Sequence, residues 1–328
     1  MAASPENGRS SGHSRPVLLD TDIGSDVDDA LALALLLALR DELDLVAVTT
    51  VTGDTALRSR IASRLLAAAG RPEVEVCAGE SLPLAGGSFS WFGHEPRCVV
   101  DGLDARELDE PAPERIVRAA REVDGLELVF IGPMTNLARA LALDPELPRR
   151  VAGLTIMGGH IRQVKIGDFV CAPGIDYNLC SDPAASVRVL GAGFDTTLVT
   201  ADVTLKTWIT KDEVAQMEAS GRLGALLAEQ VRIWTPVKRA IFEGIGGTMA
   251  PDNAAFLHDP LTVLALVEPD CAHFERLRIV PTIEAGTLRT FEVPGGSQMG
   301  SPMRVATAID GPAASRRIAG RIIDFLKR

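Results

Sequence analysis

The chain has 328 residues, 46% of them hydrophobic and 23% charged, with a formal net charge of −11. Such a chain can bury a sizeable core, as one large α/β domain or as two smaller ones, and its charged fraction is too ordinary for a disordered protein. The negative balance argues against a nucleic-acid partner or an anionic membrane surface, because phosphate binding needs a basic footprint, and it suits a cation site.

Residues 1–15 are mostly Ser, Gly, Pro and charged residues with no apolar run, so a disordered leader is expected there and not a signal peptide. The ordered domain is expected over 16–328. Val17-Leu18-Leu19 reads as a buried parallel strand running into Asp20-Thr21-Asp22. A loop with Gly24 leads to a helix from Asp28 through Leu39, whose two opening aspartates suit its positive end. Leu43 to Thr52 is the next strand, closed by Gly53-Asp54. Leu57 to Ala69 is a helix ended by Gly70, and Val74 to Ala78 is a third strand. Ser88 to Gly102 is irregular and brings Trp91, Phe92 and His94 close together.

Further on, a helix over Ala112–Arg121 precedes a strand over Leu126–Ile131 that stops at Gly132-Pro133. A helix over Asn136–Leu143 precedes a strand over Gly153–Met157 that stops at Gly158-Gly159. Asp182 and Pro183 mark a helix start, Thr196–Val199 is a strand, and Lys211–Leu227 has a helical pattern. Pro260–Val267 is a buried helix, 275–308 holds two or three antiparallel strands, and Pro312–Lys327 is a closing helix. This alternation predicts a single α/β domain with a mainly parallel central sheet flanked by helices and a ligand site at the carboxyl ends of its strands.

The longest apolar stretch, Ala30 to Leu39, is half the ~20 residues that a membrane helix needs, so no membrane partner is expected. Cys77, Cys98, Cys171, Cys180 and Cys271 are odd in number and none has CxxC spacing, which reads as buried thiols in a reducing, cytoplasmic compartment.

Asp20, Asp22, Asp26, Asp28 and Asp29 lie within ten residues at a strand-to-helix turn. So many carboxylates repel one another unless a cation compensates them, and an all-oxygen cluster points to Ca²⁺ or Mg²⁺ rather than zinc. The plainer alternative is a solvated acidic turn that caps the helix.

The run Asp20-Thr21-Asp22-Ile23-Gly24-Ser25-Asp26-Val27-Asp28-Asp29-Ala30-Leu31 resembles the N-terminal signature of the inosine-uridine-preferring nucleoside hydrolases, DxDxGxDDAxAL. Gly132-Pro133-Met134-Thr135-Asn136 resembles that family's central G-x-x-T-N loop. Ile156-Met157-Gly158-Gly159 resembles its MGG strand end, and Phe256-Leu257-His258-Asp259-Pro260 its C-terminal HD-P segment. The four fall in the family's order and span residues 17 to about 310. The resemblance implies a Rossmann-related fold and Ca²⁺-dependent hydrolysis of the N-glycosidic bond of a nucleoside, a small-molecule substrate of purine or pyrimidine salvage. It further implies a homodimer or homotetramer.

By the same resemblance Asp22 activates the attacking water, and Asp22, Asp28, Asp29, Asp259 and the backbone carbonyl of Thr135 hold the metal. His258 protonates the leaving base, a task that suits an imidazole near neutral pKa. Asp26, Asp54, Asp176 and Asn178 reach the sugar. Trp91, Phe92 and His94 either line the base pocket or anchor their loop.

The sequence departs from the family pattern around the sugar. Its N-terminal signature is two residues longer, which leaves open whether Asp26 or Asp28 is the first of the paired aspartates. Asp54 stands where Asn is usual, Asp176 where Glu is usual, and Val170 where Asn is usual. Two other readings fit part of the pattern. A haloacid dehalogenase-type phosphohydrolase would use Asp20 as nucleophile and Asp22 as acid, and a nucleoside-binding homologue would keep the site without turnover.

Overall fold

Strand β1 (Arg15–Thr21) is buried from Val17 onward, and its side chains alternate between two apolar clusters, with Val17 and Leu19 in one and Leu18 in the other. A strand buried on both faces needs helices on both faces, which is the doubly wound arrangement expected from the sequence. The computed structural model describes residues 14–90, 92–98 and 106–328; residues 1–13 of the expected leader, and Trp91, lie outside them.

β1 is followed by β2 (Leu43–Thr50), β3 (Glu75–Ala78), β4 (Glu107–Leu108), β5 (Glu127–Phe130) and β6 (Gly153–Met157). After a small hairpin of β7 (Val164–Ile166) and β8 (Phe169–Cys171) comes β9 (Thr196–Val199). β10 (Trp208–Thr210) and β11 (Asn253–Phe256) pair with each other, and β12 (His273–Glu284), β13 (Thr287–Glu292) and β14 (Ser301–Ala308) complete the set. Among the described residues the main sheet runs β13-β12-β14-β9-β6-β5-β1-β2-β3-β4. Its strands are parallel from β14 to β4, and β12 pairs antiparallel with both β13 and β14.

The chain leaves β1 for β2 on one side and returns to β5 on the other. The carboxyl ends of β1 and β5 therefore flank a switch point, where open α/β sheets leave a crevice for ligands. One face of the sheet carries the helices Asp28–Ala38, His258–Val267 and Gly311–Leu326, and the other carries Ala112–Glu122, Thr135–Leu143 and Pro183–Leu190. The first of these is buried from Asp28 to Leu37, so its amphipathic signal is lost and only its apolar run is visible in sequence.

One expected element differs. The pattern over Lys211–Leu227 is two helices, Lys211–Glu218 and Arg222–Gly244, separated by Gly221 at φ 100°. The second continues through Pro236, a residue that ordinarily ends a helix, to form a wall of the site. No helix among the described residues is long and apolar enough to cross a membrane.

Candidate active site

The Asp-rich loop leaves the carboxyl end of β1 and ends in the first turn of the Asp28–Ala38 helix. A guanidinium holds the loop from below. Arg58, fully buried on the Thr55–Ala68 helix, donates to the carbonyls of Asp22, Ile23 (2.8 Å) and Thr52 (2.7 Å) and to Ser25 Oγ (3.0 Å). Thr21 Oγ1 donates to Asp29 Oδ1 and accepts from the Ile23 amide at 3.1 Å. These contacts pull the backbone inward and leave the carboxylates facing the crevice.

Asp259 opens the His258–Val267 helix, whose N-terminal end meets that of the Asp28–Ala38 helix; the Asp259 amide donates to Asp28 Oδ2 at 3.4 Å. The two helix starts bring Asp28, Asp29 and Asp259 together, all buried, with one oxygen of each within 4.8 Å of the others. Burial and mutual repulsion hold these three acids well above the usual carboxylate range. Two helix N-termini partly offset that repulsion, and a hard divalent cation would offset it fully, so the donor set fits a metal of the Ca²⁺ or Mg²⁺ kind.

The same aspartates open onto a cavity of about 450 Å³, inside the range of roughly 300–1,000 Å³ usual for small-ligand sites. Asp22, Asp26, Asp176 and Asn178 also line it, with His258. Burial pushes Asp22 up to about 6, against the pull of Arg58, and pushes Asp26 to about 6 against the pull of Lys238. Gly132, at the end of β5, sits so close to Asp22 that an added Cβ would lie 3.0 Å from its amide nitrogen and 2.9 Å from Val51 Cγ1.

Asp176 caps the Tyr177–Ser181 helix by accepting from the Leu179 amide at 2.9 Å, and its other oxygen is buried without a partner. Burial pushes it to about 6. Asn178 donates to the carbonyls of Ile131 (2.8 Å) and Met157 (3.1 Å), tying the ends of β5 and β6 together beside the cavity.

Other expected site residues stand outside the cavity wall. Asp54 is exposed and caps the Thr55–Ala68 helix through the Leu57 amide at 2.9 Å, so its carboxylate is spent on the backbone. Thr135 is buried with its hydroxyl on Asp182 Oδ2 at 2.8 Å. His94 is buried behind the wall, with Nε2 at 2.8 Å from the Ser25 carbonyl and its ring 5.5 Å from that of Trp234; of its loop, Ser90 and Phe92 reach the cavity.

His258 lines the cavity with Nδ1 2.6 Å from Thr204 Oγ1. Burial and then Lys238 push its imidazole down to about 3. Asp20, the alternative nucleophile, is fully buried, held by Thr49 Oγ1 and Asn136 Nδ2, both at 2.6 Å, and does not line the cavity. A group so enclosed is badly placed to meet a phosphate, which weighs against the phosphohydrolase reading.

Sequence reading missed the aromatic and basic wall. Trp234, Lys238, Ile241 and Phe242 all line the cavity from the Arg222–Gly244 helix, and Phe256 joins them from the end of β11. Their i, i+4, i+7, i+8 spacing was the available signal, masked by Pro236. Lys238 is buried and burial lowers its pKa to about 8.

Residues 17–316 match the model of a family described as inosine-uridine preferring nucleoside hydrolase. A probable uridine nucleosidase 2 of Arabidopsis thaliana is 28% identical over 341 aligned residues, covering 95% of this chain and 99% of its own. A pyrimidine-specific ribonucleoside hydrolase, RihA, of Enterobacter sp. is 32% identical over 275 residues, covering 78% and 80%. Among solved structures, a purine-preferring ribonucleoside hydrolase from Gardnerella vaginalis superimposes with a TM-score of 0.81 at 26% identity, covering 95% of this chain and 99% of its own.

Proposed function

The chain belongs to the inosine-uridine preferring nucleoside hydrolase family, and from that membership we propose that its cavity binds a ribonucleoside and cleaves it with water to free base and ribose. The observation that carries this reading is the convergence of three buried aspartates, within 4.8 Å of one another, in a cavity that Asp22 and an aromatic wall also line. A sugar has hydroxyls for the first and a base has a π-face for the second.

Asp28, Asp29 and Asp259 would hold Ca²⁺, which when bound supplies positive charge that attracts the sugar diol and acidifies a neighbouring water. Asp22 lies at about 6, so it is mostly ionised at pH 7 yet basic enough to take a proton from the attacking water. As the water oxygen bonds to C1′, the C1′–N pair leaves with the base, and the positive charge spread over C1′ and the ring oxygen is stabilised by the surrounding carboxylates. Asp176, through its unpartnered oxygen, accepts from a ribose hydroxyl, and Asn178 and Asp26 complete the sugar's polar surroundings. His258 serves as a neutral imidazole, oriented by Thr204, beside the substrate. The five cysteines are free thiols, which fits a cytoplasmic enzyme of nucleoside salvage, and we expect a homodimer or homotetramer.

Uridine and inosine, incubated with the protein with and without EDTA, test the reading when free base and reducing sugar are both measured. Equal amounts of the two products, lost on chelation and restored by Ca²⁺, are expected. Tight nucleoside binding with no product would identify a binding protein instead.

A further inference from the structure

Within an otherwise acidic cavity, Lys238 is the one lysine or arginine among the described lining residues. It is 1% exposed. Nζ donates to Asn253 Oδ1 at 2.7 Å and lies 4.9 Å from the centroid of the Phe256 ring. An ammonium carries three N–H bonds, and Asn253 takes one. Asp26 and Asp28 act on it electrostatically without an ion pair to either. A buried cation with donors to spare is costly unless something brings acceptors to it. The helix that carries Lys238 sets Trp234 one turn before it and Ile241 and Phe242 one turn after it on the same cavity wall. Lys238 therefore shares its stretch of cavity wall with aromatic and aliphatic groups against which a flat heterocycle packs.

We propose that Lys238 is the catalytic residue that meets the departing base and gives it a proton. This rests on the hydrolase reading above and gives that reaction an acid on the aromatic side of the cavity. As the C1′–N bond breaks, its electron pair goes to the base and one Lys238 proton follows it onto a base nitrogen or oxygen. Asp22 takes one proton from the water, whose hydroxyl stays on C1′. The proton on Asp22 then returns through solvent to the Lys238 amine, so one water is consumed and both side chains are restored. Burial has already brought the ammonium down to about 8, so it is charged at pH 7 and gives its proton more easily than a solvated lysine. Asn253 and the Phe256 ring fix its direction, which an acid needs as much as its proton.

The full-length, Ca²⁺-loaded protein and its Lys238→Met and Lys238→Arg variants test this on uridine, inosine and 4-nitrophenyl riboside. The last releases its leaving group without protonation. Lys238→Met should lose about 10²–10⁴-fold in kcat on the two nucleosides and stay within about threefold on the activated riboside. Lys238→Arg keeps the charge but cannot give up a proton, so it should show the same selective loss. If Lys238→Met does not fold, the arginine variant decides alone. Equal losses on both kinds of substrate, or unimpaired nucleoside turnover in either variant, overturn the proposal. A wild-type protein that releases base from no nucleoside overturns the hydrolase reading itself, whereas an active wild type with unselective variants overturns only the role of Lys238.

Discussion

Asp20 and Asp22 are two residues apart on the same strand end, yet their surroundings separate them completely. Asp20 is clasped by Thr49 and Asn136 beneath the sheet end, and Asp22 opens into the cavity. Asp22→Asn should therefore reduce kcat by about 10²–10⁴-fold on every substrate, activated or not, without lowering the melting temperature, because the proton acceptor is removed and no packing is lost. A variant that kept full turnover would remove Asp22 from water activation. Asp176 offers a pH test. Its folded pKa of about 6 lies above the unfolded value of 3.8, so its contribution to stability is fully present below about 3.8 and is lost as pH rises through about 6. The loss is at most about 3 kcal/mol. Asparagine caps a helix as well as aspartate does and does not titrate. Wild type should thus fall in melting temperature relative to Asp176→Asn between pH 4 and pH 7, and a constant difference would contradict the burial argument. At this scale the sequence was a good guide to residue type and a poor guide to direction. Asp54 was expected at the sugar and caps a helix instead, because an aspartate after a strand and before a helix has the same signature in either role.

Elements make the site by where they begin. Three aspartates meet because the Asp28–Ala38 and His258–Val267 helices start side by side, although 231 residues separate Asp28 from Asp259. A third helix braces them through Arg58, whose bonds reach the carbonyls of Asp22, Ile23 and Thr52. Arg58→Met should leave those carbonyls buried and unpaired, at about 1–3 kcal/mol each. Urea denaturation should show the lost stability, and calorimetry should show weaker Ca²⁺ binding through the loosened loop. Undiminished Ca²⁺ affinity would mean that the loop holds its shape unaided. The strands and helices that build this frame were legible because each pairs an apolar run with a Gly, Pro or Asp stop, as β6, β9 and the Pro183–Leu190 helix do. The Arg222–Gly244 helix was not, because Gly221 and Pro236 both read as breaks and tertiary packing overrides the second. With that helix went Trp234 and Lys238, so the acidic side of the site could be read and its aromatic side could not. The short β10–β11 pair was illegible for another reason: three or four residues carry too little periodicity, and only the pairing between distant segments makes them strands.

For the whole molecule, the sheet order sets a thermodynamic condition. The switch point at β1 and β5 forces an acidic loop into a buried crevice, and Asp28, Asp29 and Asp259 then have water largely excluded from them. Without a cation, burial and mutual repulsion raise all three well above 3.8. The sign follows directly. An acid whose folded pKa exceeds its unfolded pKa favours the fold below the unfolded value, and that benefit disappears as pH rises toward the folded one. The chelated protein should therefore melt at steadily lower temperature from pH 5 to pH 8. A cation reverses this, because it binds the carboxylates ionised and competes with protons for the same oxygens. Ca²⁺ at 100 times its dissociation constant should add about 2.7 kcal/mol of stability. The gain at a fixed Ca²⁺ concentration should be larger at pH 8 than at pH 5, and Asp29→Ala should abolish it at both. Thermal melts across that pH range, with EDTA and with graded Ca²⁺, measure each of these effects. A melting temperature that ignores Ca²⁺ at pH 8 would mean that the three aspartates share protons rather than a metal, and the cavity would then need another source of positive charge to hold its sugar.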